Sequence, residues 1–204
     1  LGLFEVELGG TLRELSTGLP ADGALDGQFE LVPGGKSALV RVSGGSASGW
    51  YALERETGRV TRLGELFAPE PSADGRWALF RRADALGRQS LLVAPLERAG
   101  PTRLLASLQS ALEFVPSADG RAVLLRGDLQ VFGAQQLYAA SVEGGRAVRL
   151  DEDAPPGSGR AGVVQGFALS HDEKHALYLA AQEFSGLEHT YGVTPDGSQR
   201  WSSL

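Results

Sequence analysis

The sequence predicts an all-β fold: a β-propeller or partial propeller of four-stranded antiparallel blades, four full blades plus an N-terminal half blade. Three observations carry this. One hairpin recurs five times along the chain, at a spacing of roughly 40–50 residues, and self-similarity at that period marks a propeller or array. An apolar strand, a tight turn and a second apolar strand precede four of those five hairpins. The 28 Gly and 10 Pro among 204 residues supply the turns that many short strands need.

The elements follow in order. The half blade, residues 3–15, runs from Leu3-Phe4-Glu5-Val6-Glu7-Leu8 through Gly9-Gly10 to Leu15. The first full blade, 25–64, turns at Pro33-Gly34-Gly35-Lys36 and continues as Trp50-Tyr51-Ala52-Leu53, closing through Gly58 on Leu63. The second, 65–106, turns at Ser72-Ala73-Asp74-Gly75-Arg76; its hairpin runs from Leu91-Leu92-Val93-Ala94 through Gly100 to Leu104. The third, 107–151, turns at Ser117-Ala118-Asp119-Gly120-Arg121; its hairpin runs from Leu137-Tyr138-Ala139-Ala140 through Gly144-Gly145 to Leu150. The fourth, 161–204, turns at Ser170-His171-Asp172-Glu173-Lys174; its hairpin runs from Thr190-Tyr191-Gly192-Val193 through Asp196-Gly197 to Leu204. On this reading, residues 1–204 are a single propeller region.

The register is internally consistent. Seven residues before the basic residue that closes each turn stand Phe29, Pro69, Phe114 and Phe167. Three after it stand Leu39, Leu79, Leu124 and Leu177, and four after it Val40, Phe80, Leu125 and Tyr178. A strand, an Asp-Gly turn and a second strand is a hairpin signature. A single blade cannot bury both of its faces, so these aligned positions are expected to form layers between stacked blades. Five hairpins against four strand pairs predict a chain that enters partway through a repeat. An open arc would then expose apolar surface at both ends, a route to self-association through open blade edges.

Ser-Ala-Asp-Gly-Arg-x-x-Leu, followed by a Tyr-containing third strand, a Gly turn and Arg-Leu, resembles the TolB-type (WD-repeat-like) propeller repeat. Residues 72–105 and 117–150 match best; Pro33-Gly34-Gly35 lacks the Asp, and Asp172-Glu173 lacks the Gly. The resemblance implies an extracytoplasmic, periplasmic or envelope setting in a bacterium and a protein or peptide partner. It carries architecture and no activity.

Composition narrows the function classes. A formal net charge of −6 without a basic stripe argues against nucleic acid, whose phosphates supply most of such affinity. It argues equally against anionic membrane surfaces, and no apolar run is long enough for direct membrane insertion. The absence of Cys removes disulfides, thiolate metal sites and a cysteine nucleophile. His171 and His175 are four apart but straddle a turn into a strand, so no metal is expected. Gly45-Ser46-Ala47-Ser48-Gly49 has the spacing of a nucleophile elbow but lies in a loop between strands, where the strand-to-helix context is missing. Asp74 and Asp119 are turn residues on this reading, not calcium ligands. Arg126-Gly127-Asp128 matches an adhesion tripeptide, and three-residue matches are common by chance. Glu30, Glu70 and Glu113 lie on innermost strands, but Glu113 is out of register with the other two. No cofactor is expected.

The candidate binding face gathers the loops between second and third strands with the connections between blades. It would bring together Arg88, Arg126, Asp128, Phe132, Glu183 and Phe184, with the acidic run Asp151, Glu152 and Asp153 that opens the long linker to the fourth blade. Loops on a rigid scaffold are where binding residues concentrate. The expected function is a non-catalytic binding scaffold presenting this face to a protein or peptide. The alternatives are the gating propeller of a prolyl-oligopeptidase-type serine peptidase, or a small-molecule or sugar enzyme with a metal in its central channel.

Overall fold

Eighteen strands make up nearly all the regular structure in the computed structural model, which describes residues 2–6, 10, 12–64, 69–97, 100, 102–108, 113–130, 133–153, 164–180 and 188–202. Strands β1 (Phe4–Val6) and β2 (Leu12–Glu14) form a two-stranded sheet. The first four-stranded sheet holds β3 (Ala24–Leu31), β4 (Ser37–Ser43), β5 (Gly49–Glu54) and β6 (Val60–Gly64). The second holds β7 (Glu70–Pro71), β8 (Trp77–Ala83), β9 (Gln89–Pro95) and β10 (Arg103–Leu108). The third holds β11 (Glu113–Pro116), β12 (Ala122–Gly127), β13 (Gln136–Ser141) and β14 (Val148–Arg149). The fourth holds β15 (Val164–Leu169), β16 (Ala176–Ala180), β17 (His189–Val193) and β18 (Arg200–Ser202). In all four, strands adjacent in sequence are adjacent in the sheet. Four such meanders and a half blade are the architecture of a partial β-propeller.

The pairing follows the expected register. Glu30 faces Leu39, Glu70 faces Leu79, Val115 faces Leu124 and Ala168 faces Leu177. One position along, Phe29 faces Val40, Phe114 faces Leu125 and Phe167 faces Tyr178. Glu113 faces Arg126, two positions from the level of Glu30 and Glu70.

The turn sequence explains its own geometry. In the third sheet Ser117 Oγ donates to Asp119 Oδ1 at 2.7 Å, and the same oxygen accepts from the Arg121 N–H at 2.9 Å. Ser117 Oγ also accepts from the Ala122 N–H at 3.0 Å. Gly120 sits at φ +65°, where a side chain is strained. The arrangement recurs at Ser72-Asp74 and Ser170-Asp172. It recurs again in the last hairpin, where Thr194 Oγ1 donates to Asp196 and accepts from the Gln199 N–H. Glu173 takes the glycine's place at φ +56°. Its carboxylate accepts from the Ala118 N–H on the preceding turn, a contact no glycine could make.

The chain divides into two compact units: 1–81 with 93–102, and 82–92 with 103–204. In the first, Val40, Val42, Tyr51 and Leu53 form a buried cluster with Leu15, and Leu3, Leu19, Leu25 and Val60 pack around it. The half blade thus covers one face of the first sheet through Leu3 and Leu15. In the second, Leu124, Leu137 and Leu150 of the third sheet meet Val164, Ala176, Tyr178, Tyr191 and Val193 of the fourth. Side chains alternate across a strand, so position Val40/Tyr178 looks toward the preceding blade and Leu124 toward the following one.

One sequence expectation shifts. The second hairpin, expected to run to Leu104, continues through β10 to Leu108, and within β10 Leu104 is exposed and Leu105 is buried. Successive side chains on a strand point to opposite faces, and at this point of β10 the face of Leu105 is covered while that of Leu104 is exposed.

Candidate functional site

The loop end of the second unit is built from side chains that hold strands together. Asp151 follows β14 and is only 3% exposed. Its Oδ1 accepts from the Leu137 N–H at 2.9 Å, and its Oδ2 accepts from Arg149 at 2.9 Å. Arg149 also donates to Asp153 Oδ1 at 2.7 Å. Gln136, with its amide oxygen turned toward Arg149, accepts from that guanidinium at 2.9 Å and donates to the Tyr138 hydroxyl at 2.6 Å. Gln136, Tyr138 and Asp151 are all buried, and the cluster satisfies polar groups that would otherwise be costly there.

Electrostatics follow from this burial. Burial pushes the Asp151 carboxyl above its ordinary pKa, and the Arg149 hydrogen bond and charge only partly offset the shift. Burial works against the charge on Arg149, but hydrogen bonds and charge from Asp151 and Asp153 win and raise its pKa. Burial raises the Tyr138 hydroxyl as well, aided by the Asp151 charge.

The predicted site residues fall into distinct roles. Asp153 has a side chain 83% exposed and stands at the tip of the cluster. Glu152 accepts from Arg200 of β18 at 2.6 Å, linking the interblade connection to the outer strand of the fourth blade. Arg126 on β12 reaches across to β15, donating to the Val164 and Gln165 carbonyls at 2.8 and 2.6 Å and to Glu113 at 2.6 Å. Asp128 is buried and accepts from the Gly133 N–H at 3.0 Å. Arg88 is paired within its own loop to Asp84 at 2.6 Å; that hydrogen bond lowers the Asp84 pKa. Phe132, Glu183 and Phe184 lie outside the described residues. The structure therefore brings Asp151 and Asp153 together on one arginine, sets Glu152 on Arg200, and leaves Arg88 in its own loop.

Sequence reasoning missed Arg149, Gln136, Tyr138 and Arg200. Arg149 was visible as the Arg of the repeat's Arg-Leu ending, but nothing local shows that it gathers two carboxylates.

At the opposite end of the same two blades, a pocket of about 310 Å³ is lined by Leu124, Leu169, Pro195, Asp119, Asp172 and Glu173. Its acids are committed to turn backbone: Asp119 to Arg121 N–H, Asp172 to Lys174 N–H and Glu173 to Ala118 N–H. In the first unit, burial raises the Glu70 pKa and the neighbouring Glu30 charge adds to it, against Arg81. Among the described residues no group of three or more His, Asp or Glu is placed to hold a metal ion.

No family model matches the chain, and no curated protein matches it. Solved structures do. A protein from Agrobacterium tumefaciens assigned as a TolB matches with TM-score 0.50 and 18% identity, over 95% of this chain and 65% of that one. The β-propeller domain of the Trilobed protease from Pyrococcus furiosus matches with TM-score 0.55 and 11% identity, over 90% and 57%. A prolyl endopeptidase matches with TM-score 0.53 and 12% identity, over 96% and 31%. The class these likenesses define is the β-propeller. Within it, the chain has the TolB-type propeller fold, which peptidase propellers share. It spans less than two-thirds of the length of each of these proteins.

Proposed function

We propose that this chain is a non-catalytic binding scaffold whose loop end, around Asp153 and Glu152, engages a protein or peptide partner. The observation that carries the proposal is the Arg149 cluster. It fixes the root of the interblade connection through buried Asp151, while Asp153, two residues on and ion-paired to Arg149, keeps a side chain 83% exposed. A fixed segment that carries an exposed acidic side chain presents charge with little ordering penalty on binding. The likeness to a protein assigned as a TolB supports this reading and an envelope setting for it.

The test is site-specific photo-crosslinking in bacterial extract with the probe residue at Asp153, at Arg88, or at Glu56 in the opposite-end turn of the first blade. Products formed from Asp153 and Arg88 but not Glu56 support the loop end. Equal yields from all three contradict it.

The likeness to peptidase propellers favours a second reading, a gating propeller beside a catalytic domain. An α/β-hydrolase segment in the full-length protein would distinguish it. Hydrolysis of a prolyl peptide by the 204-residue chain itself would contradict the scaffold reading.

A further inference from the structure

Five Asp-Gly steps occur in the chain: Asp22-Gly23, Asp26-Gly27, Asp74-Gly75, Asp119-Gly120 and Asp196-Gly197. Such a step can react with itself. Attack of the glycine nitrogen on the aspartate Cγ closes a five-membered ring, and glycine has no side chain to obstruct it. Four of the five steps are held against this. The Gly23 N–H donates to the Pro20 carbonyl at 3.2 Å, Gly75 to Ser72 at 2.9 Å, Gly120 to Ser117 at 3.0 Å and Gly197 to Thr194 at 2.8 Å. Each bond runs to the carbonyl three residues back and fixes the plane of the Asp-Gly peptide. The ring cannot close there until the turn opens.

Asp26-Gly27 is built differently. It lies within β3, where pairing with β4 passes from Leu25–Val42 to Phe29–Val40. Residues 26–28 of β3 therefore stand against Arg41 alone, in a bulge whose residues leave the ladder. The carbonyl three residues before Gly27 belongs to Ala24, and it accepts the Ser43 hydroxyl at 3.3 Å. The Asp26 carboxylate folds onto its own backbone. Its Oδ1 accepts from the Gln28 N–H at 3.0 Å, which sets Cγ beside the intervening Gly27 nitrogen. Its other oxygen meets Arg41 Nε at 3.2 Å.

We propose that Asp26 is a site of spontaneous covalent modification, converting to isoaspartate in the folded protein while the other four Asp-Gly steps stay intact. The Gly27 nitrogen attacks Asp26 Cγ. The N–Cγ bond forms, the nitrogen gives up its proton, and one carboxyl oxygen departs as water, leaving a succinimide. Water then adds to the main-chain carbonyl of that ring and breaks its bond to the Gly27 nitrogen. The chain now runs through Cγ, and the former main-chain carbonyl has become the free carboxylate. One water leaves and one returns, so no oxidant, cofactor or partner is required. The extra methylene falls inside the bulge, outside the ladder, so the pairs on either side keep their register.

The test is peptide mapping of the 204-residue chain after prolonged incubation at neutral pH, with electron-transfer fragmentation to tell isoaspartate from aspartate. Trypsin releases residues 14–36, which carry both Asp22 and Asp26. The isoaspartate expected at Asp26 exceeds that at the other four steps together. In urea, where the turns are open, all five steps react at similar rates. Asp26→Glu removes the product, because a six-membered ring closes far more slowly, and it keeps a carboxylate for Arg41. Asp22→Glu leaves the product in place. Circular dichroism confirms that both variants fold. Isoaspartate at Asp26 no more abundant than at Asp74, Asp119 or Asp196 in the folded chain overturns the proposal. So does an excess at Asp26 that persists unchanged in urea, since its cause would then be the local sequence and not the bulge.

Discussion

Replacing Leu124 with Ala tests the blade register, because the same repeat position is buried in one blade and open in another. Leu124 is 2% exposed and packs in the cluster with Leu137, Leu150 and Tyr178. The change removes three carbons, and at about 0.8 kcal/mol per buried carbon the transfer loss is roughly 2.4 kcal/mol. A cavity term adds to this in a sealed core. Here the side chain also borders the pocket of about 310 Å³, so water can occupy part of the space and the added term is small. The expected cost is about 2–3 kcal/mol, the lower part of the range for such truncations. Leu177→Ala, at the equivalent position and 40% exposed, should cost under about 1 kcal/mol because much of its apolar surface already faces water. Both are read from urea unfolding followed by circular dichroism, at protein concentrations low enough to exclude association. A loss below about 0.5 kcal/mol for Leu124→Ala, or an equal loss at Leu177, would refute the register, since burial of this order must register in stability.

Three further outcomes follow from particular contacts. Gly75→Ala should destabilise by about 2 kcal/mol or more, since a left-handed residue with a Cβ costs roughly 1–2 kcal/mol and this Cβ would stand 2.2 Å from the Pro33 carbonyl oxygen; chemical denaturation checks it. Arg126→Ala should cost about 2 kcal/mol in the same assay, typical of losing hydrogen bonds from a charged donor, because it releases the Val164 and Gln165 carbonyls of β15. The Thr194 hydroxyl and the Ser198 N–H hold the Asp196 pKa down to about 2, and Asp172 is lowered by Ser170 and Lys174. Folded-state values below the unfolded ones mean that these turns add stability above about pH 4. That stability is lost as pH falls toward 2, and Asp196→Asn should flatten the fall in unfolding midpoint between pH 4 and pH 2.5.

The repeat made most of the fold legible. Period-two alternation and a Ser-x-Asp-Gly turn are both local signals, so the amino-acid order alone places Phe114, Leu124 and Leu125. The copy at Thr194-Pro195-Asp196-Gly197 was legible for the same reason. Which of Leu104 and Leu105 is buried was not legible, because the pair gives the alternation two equal choices and only packing decides between them. The site was harder to read. Asp151 looks like the first residue of an acidic, solvated linker, yet it is buried because the Leu137 N–H and Arg149 compensate its charge. Both partners are settled by strand pairing, which sequence spacing alone does not show. Deleting the linker from Asp151 onward would therefore remove a structural anchor; a deletion meant to spare the fold must begin after Asp153.

Hydrogen–deuterium exchange along the whole chain tests the architecture most directly. Amides of second and third strands, paired on both sides, should exchange slowest, giving four separate protected segments centred on β4–β5, β8–β9, β12–β13 and β16–β17. β1, paired only with β2 among the described strands, should exchange faster than β5 or β13. Protection centred on residues 84–88 or 133–135, or fewer than four protected segments, would contradict an assembly of four antiparallel blades.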